Sequence, residues 1–193
     1  MPEDLIRRNR KWAEQQLESS PDYFSRLAEV QTPKYLWIGC ADSRVPAEVL
    51  TGSPPGELFV HRNIANIVHP DDMGLLGVLE FGINALGIRR IVVCGHTGCG
   101  GVRAAAEGCD HGLVDHWLAP VRQLYRRHGE ALSGIEDEQR RLDRLAELNV
   151  ARSVALIAEN PIVQAARARG DEIEIEGMLY ALGDGLLHKL DCS

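Results

Sequence analysis

His96-Thr97-Gly98-Cys99 carries an imidazole and a thiol, two side chains that suit a borderline-soft divalent metal such as zinc. Two ligands do not make a site, and His-x-x-Cys alone is a weak signal. A third is available where a second apolar run stops, because Tyr35-Leu36-Trp37-Ile38-Gly39 gives way to Cys40. Cys94 competes for that place. It shares strand parity with His96 but lies two residues deeper, about 6–7 Å back along the strand, so Cys40 is preferred. Cys40, His96 and Cys99 would leave one coordination position open, the arrangement of a catalytic rather than a structural zinc. Two thiolates and a neutral imidazole cancel the charge of Zn²⁺. Water at such a metal should ionise somewhat above the value of about 7 typical of three-histidine sites.

Asp42 and Arg44 leave Cys40 on the same loop. A carboxylate so close to the metal can accept a hydrogen bond from water in the open position, or displace that water. A bidentate guanidinium partner would hold it away from the metal. Seen alone, an Asp-x-Arg pair reads equally well as a surface ion pair of little energetic weight.

These residues need elements that bring them together. Ile91-Val92-Val93-Cys94 is a β-branched apolar run, and Gly95, Gly98, Gly100 and Gly101 break it before Val102-Arg103-Ala104-Ala105-Ala106-Glu107 resumes as a helix. The pattern is strand, glycine-rich turn, helix. The turn lacks the Lys-Ser/Thr ending of a phosphate-binding loop, and its His and Cys point to metal instead. Strands are expected at 35–39, 57–63, 88–94 and 172–182. Between them lie a short helix at 47–50, a helix capped by Asp71-Asp72 and carrying Leu75, Leu76, Leu79, Ile83 and Leu86, and helical segments after Gly108. Pro120 should kink the first of those, and Asn160-Pro161 should open the last. Alternation of this kind implies an α/β fold, a mainly parallel sheet flanked by helices. In such a sheet the carboxyl ends of the strands gather at one edge, which is how Cys40 and His96 could meet.

The chain has 193 residues, enough for one domain with a sizeable core, and we expect a single domain, 1–193, with a helical arm at 1–34 and an α/β core at 35–193. The arm carries Leu5, Trp12 and Leu17 among charges, and could lie on its own domain or dock on a partner subunit. A net charge of −7 without a basic run argues against nucleic acid. No apolar stretch approaches membrane-span length. The cysteines are odd in number, Cys40, Cys94, Cys99, Cys109 and Cys192, and no secretory signal is visible, so reduced thiols and a cytoplasmic location are expected.

Cys40-x-Asp42-x-Arg44, Glu57-Leu58-Phe59-Val60-His61-Arg62-Asn63-Ile64-Ala65-Asn66 and Cys94-Gly95-His96-x-Gly98-Cys99-Gly100-Gly101-Val102, taken in order, resemble the β-class carbonic anhydrases. The resemblance continues through Glu147-Leu148-Asn149-Val150 and 163–170 to Tyr180 and Asp184-Gly185, most of residues 35–187. It implies a lyase, a homodimer or a tetramer built from dimers, and reversible hydration of carbon dioxide to bicarbonate and a proton by attack of zinc-bound hydroxide. It assigns zinc to Cys40, His96 and Cys99 and the dyad to Asp42 and Arg44. It implies a carbon dioxide pocket near Val45 and Gly100, and an amino-terminal helix that reaches across to the partner. Trp37, Arg62 and Tyr180 match a trio that binds an inhibitory bicarbonate in one subset of the family. There the enzyme is locked shut with Asp42 as fourth metal ligand. Glu176-Gly177-Met178 departs from the His-Gly-Trp of many members. Two other functions are compatible with the same motifs: a zinc hydrolase of another heterocumulene such as carbon disulfide, and a non-enzymatic structural zinc protein. None of His61, His69, His111 and His116 is marked as a proton shuttle.

Overall fold

The computed structural model describes residues 2–108 and 112–192; Cys109 and His111 lie outside them. The chain forms two compact units, Met1–Thr32 and Pro33–Ser193. In the first, α1 (Pro2–Ser19) is followed by α2 (Tyr23–Glu29), which the sequence reading did not anticipate. Trp12 meets the rings of Tyr23 and Phe24 edge-on, with centroids 6.2 and 5.7 Å away. No described residue of either helix is buried, and Leu5, Ile6, Trp12 and Leu17 all stand exposed.

The second unit is built on a five-stranded sheet with strand order β2-β1-β3-β4-β5. Its strands are β1 (Tyr35–Cys40), β2 (Leu58–Asn63), β3 (Arg90–His96), β4 (Glu174–Ala181) and β5 (Leu186–Leu190). The first four run parallel and β5 pairs antiparallel with β4. Leu36 and Ile38 point to one face of the sheet. They pack with Ile91 and Val93 against Leu75 and Leu79 of α4 (Met73–Glu80), Val150, Val154 and Ile157 of α9 (Glu138–Glu159), and Val163 and Ala166 of α10 (Pro161–Ala168). Trp37, Val92 and Cys94 point to the other face, with Ala47 of α3 (Ala47–Thr51) against them. Alternation along each strand sets this division.

The caps follow the sequence. Asp72 accepts from the N–H groups of Gly74 and Leu75, and Asn160 accepts from that of Ile162 with Pro161 in the first turn. Two expectations are corrected. The helix that begins at Met73 leaves α-helical pairing at Phe81–Ala85, where a π-type turn takes over. Pro120 does not kink a helix. It lies in the first turn of α7 (Ala119–Arg127), after α6 (Leu113–Trp117) has ended and before α8 (Gly129–Ser133), where its missing N–H costs nothing. Asp137 caps α9 by accepting from Arg140 N–H.

Candidate metal centre

Cys40 is the last residue of β1 and His96 the last of β3, while Cys99 precedes α5 (Gly100–Glu107). Their ligand atoms lie within 4.8 Å of one another, and all three residues are buried. The two sulfurs are 3.9 Å apart. A tetrahedral zinc with Zn–S bonds of about 2.3 Å needs about 3.8 Å there. His96 Nδ1 donates to the Thr97 carbonyl at 2.9 Å, which leaves Nε2 as the ligating nitrogen. That Nε2 is buried without a hydrogen-bond partner. Orphaned buried polar atoms are costly, so a group is expected to meet it, and a metal fits.

The thiols carry the same message. Cys40 is held down to about 4, first by its hydrogen bond with Cys99 and then by His96, against the effect of burial. Cys99 is pushed up by the same partner and by burial, so without metal the pair shares a proton. The N–H groups of Gly101 and Val102, in the first turn of α5, face Cys99 and favour its thiolate. Burial works to lower His96, but the adjacent Cys40 outweighs it and the net shift is upward.

Cys94 takes no part in this cluster. It packs with Trp37, Ala47 and Val92, its thiol donates to the Gly95 carbonyl at 3.2 Å, and burial pushes it up to about 12. Strand parity was a poor guide to this choice. Cys40 has the parity of Ile38 and His96 that of Cys94, yet they converge because both end their strands. Beyond the sheet edge no backbone separates the two faces.

Asp42 is bound as a bidentate carboxylate: Arg44 Nε donates to Oδ1 at 3.0 Å and Nη2 to Oδ2 at 2.7 Å, with the Arg44 N–H adding a third bond at 2.9 Å. The guanidinium holds the Asp42 carboxyl well below the usual carboxylate range. Asp42 Oδ2 is 3.8 Å from His96 Nε2, at the edge of the metal position but held off it. Val45 is buried in the cluster that contains Cys40 and Cys99, and the space beside Gly100 is open.

The remaining expected residues fall on the other face. Trp37 and Tyr180 share the apolar cluster around Val92 and Cys94. Arg62 lies on the same face by register, since Gly39 pairs with it. Its guanidinium is engaged, with Nε donating to the Cys40 carbonyl at 2.7 Å and Nη2 to the Asp42 carbonyl at 2.6 Å. A cavity of about 580 Å³ opens on this face. It is lined by Trp37, Val92 and Met178 among others, but by neither Arg62 nor Tyr180, nor by any of the three clustered ligands. His61 is half-buried beside Asn63 and Asp72, and His69 packs at a tilt against Trp117, with ring centroids 4.5 Å apart.

Sequence reasoning missed the support behind the turn. Ala65 and Asn66 adopt left-handed backbone (φ +62° and +45°). Asn149 Nδ2 donates to the Ala65 carbonyl at 2.8 Å, and Ser153 reaches that of Asn66. A Cβ on Gly101 would come within 2.9 Å of Ile64 and 3.0 Å of Ala65, so glycine lets α5 approach this segment closely. The polar Asn149 within an apolar helical face was the available clue.

Residues 35–187 match the family profile described as carbonic anhydrase. A carbonic anhydrase of Emericella nidulans is 41% identical over 187 residues, covering 97% of this chain and 82% of that one. A tetrameric β-carbonic anhydrase from Sordaria macrospora superposes with a TM-score of 0.93 at 39% identity, covering 98% of this chain and 96% of that one. A β-carbonic anhydrase from Coccomyxa, solved with acetazolamide, gives 0.92 at 38% identity, covering 97% and 85%.

Proposed function

The chain belongs to the β-class carbonic anhydrases, which interconvert carbon dioxide and bicarbonate, and we propose that Cys40, His96 and Cys99 hold a catalytic zinc ion while Asp42 and Arg44 govern its open position. One observation carries the reading: the buried, unpartnered Nε2 of His96 faces two close thiols, with a restrained carboxylate 3.8 Å away. Among the described residues the group contains three ligand side chains, which favours an open over a closed coordination shell. Zinc bound there supplies the Lewis acidity that lets water ionise near neutral pH. The chain's own residues do the rest. Arg44 keeps Asp42 charged and oriented, so its carboxylate would accept a hydrogen bond from a group in the open position and fix that group's orientation. Buried Val45 would supply an apolar wall for carbon dioxide, and Gly100 adds no side chain to obstruct it.

Regulation by bicarbonate is part of the proposal. An anion that binds Arg62 competes with the carbonyls of Cys40 and Asp42 for its N–H groups. Losing those bonds frees the loop that carries Asp42, which favours a closed state with Asp42 on the metal. Such a ligand shifts the balance by its preference for that state. The exposed apolar residues of α1 and the tetrameric relative support assembly into dimers and tetramers. Thiols serving as ligands suit a reducing, cytoplasmic setting. No described helix is long and apolar enough to cross a membrane. The test is metal content together with stopped-flow carbon dioxide hydration across pH. About one zinc per chain with hydration activity is expected; a metal-replete protein without hydration would overturn the reading.

A further inference from the structure

Gly98 lies between two of the clustered ligands with φ of +62°, a backbone that glycine adopts freely and other residues resist. Both of its polar groups are engaged. Its N–H donates to Oδ1 of Asp143, on α9, at 2.9 Å, and its carbonyl accepts from Arg44 Nη2 at 3.2 Å. The same Nη2 donates to Asp42 Oδ2. One line of hydrogen bonds therefore runs from Asp143 through the Gly98 backbone and Arg44 to Asp42. Asp143 is itself fixed, since its Oδ1 also accepts from Gln139 Nε2 at 2.8 Å, one helical turn earlier. Gln139 Oε1 in turn accepts from Arg103 of α5 at 3.2 Å.

We infer that Asp143 is a positioning residue for this reaction: its carboxylate pins the Gly98 N–H and so sets the carbonyl that anchors Arg44 against Asp42. The effect on rate rests on the zinc reading above; the effect on the turn does not. Without Asp143 the Gly98 carbonyl is free to swing from Arg44. The guanidinium then loses its hydrogen bond to the metal turn, and Asp42 is less firmly held off the metal. Thr97 is tied to Tyr180 and Leu182 and Cys99 is buried in the core, but Gly98 between them has no side chain to pack, so its orientation depends on the hydrogen bonds of its own N–H and carbonyl.

The experiment uses the zinc-loaded full chain, with Asp143→Ala and Asp143→Asn. Amide hydrogen exchange at Gly98 is followed by NMR, with Val92 and Val93 of β3 as internal controls, and carbon dioxide hydration is measured alongside. In Asp143→Ala, Gly98 exchange should quicken and kcat should fall, each by about tenfold, the scale of one lost charge-assisted hydrogen bond. The β3 amides should stay protected. Asn keeps the Oδ1 acceptor, so Asp143→Asn should restore most of both. If Asp143→Ala does not fold, Gln139→Leu, which keeps Asp143 but removes its bond from Gln139 together with the Arg103 bond to Gln139, should quicken Gly98 exchange in the same direction by less. Unchanged Gly98 exchange in the folded variants overturns the inference, as does an Asn variant impaired as badly as the Ala variant. A parent chain with zinc and no hydration would instead defeat the site reading, leaving the exchange result to stand by itself.

Discussion

Separate Cys40→Ala and Cys94→Ala variants probe the ligand set most sharply. Both residues are buried thiols near the ends of adjacent strands, and only their surroundings tell them apart. Cys40 Sγ stands 3.9 Å from Cys99 Sγ and its thiol is held down to about 4, so the anion a metal needs is already favoured. Cys94 is pushed up to about 12 by burial. Ionising it at pH 8 would cost roughly 5 kcal/mol, counting about four pH units at 1.36 kcal/mol each. Its sulfur would also have to cross from the Trp37 cluster to the Cys99 cluster. Cys94→Ala should therefore keep its zinc. Its loss should be one of packing alone, about 1 kcal/mol, or roughly 2–4 °C in melting temperature for a chain of this size. Cys40→Ala leaves two ligands, and zinc should pass to a chelator that the parent resists. Metal analysis after gel filtration reads the first quantity and chelator competition the second, with hydration activity following the metal. Zinc kept by Cys40→Ala and lost from Cys94→Ala would refute the assignment.

Two thiolates and an imidazole leave the metal site without net charge, so hydration should climb from pH 7 toward alkaline values; full activity below neutrality would contradict that accounting of ligand charge. Arg44→Ala removes both side-chain bonds to Asp42 and the one to Gly98, leaving only the residue-44 N–H on the carboxylate. Hydration should then fall by about a hundredfold with zinc retained, and X-ray absorption should register a carboxylate among the metal's ligands. A variant that works at the parent's rate would show that Asp42 needs no restraint. Bicarbonate should inhibit beyond product competition, more strongly at low pH, and Arg62→Ala should relieve that excess while keeping zinc. Equal inhibition of parent and variant would remove Arg62 from regulation.

Much of this protein can be read along the chain, because short-range rules govern what the chain does locally. Apolar runs such as Ile91–Val93 mark buried strands, Asp72 and Asn160 mark helix starts through their own side chains, and strand–helix alternation implies parallel pairing. The ligand residue types were equally legible, since Cys40 and His96 stand where apolar runs give out and Cys99 lies in the glycine-rich turn just beyond. Other features depended on what meets across space. Nothing near Cys94 in sequence shows that it faces Trp37, while Cys40, of the opposite parity to His96, joins the ligands at the sheet edge. The engagement of Arg62 by two carbonyls and the grip of Asp143 on Gly98 join residues 20 or more positions apart. Hydrogen bonds of that kind leave no periodicity behind, because one polar residue on a helix face looks the same whether it meets water or a backbone N–H. Residue types and local order were set by the sequence read in one dimension; which thiol ionises, and what holds the carboxylate off the metal, were decided only when the strand ends came together.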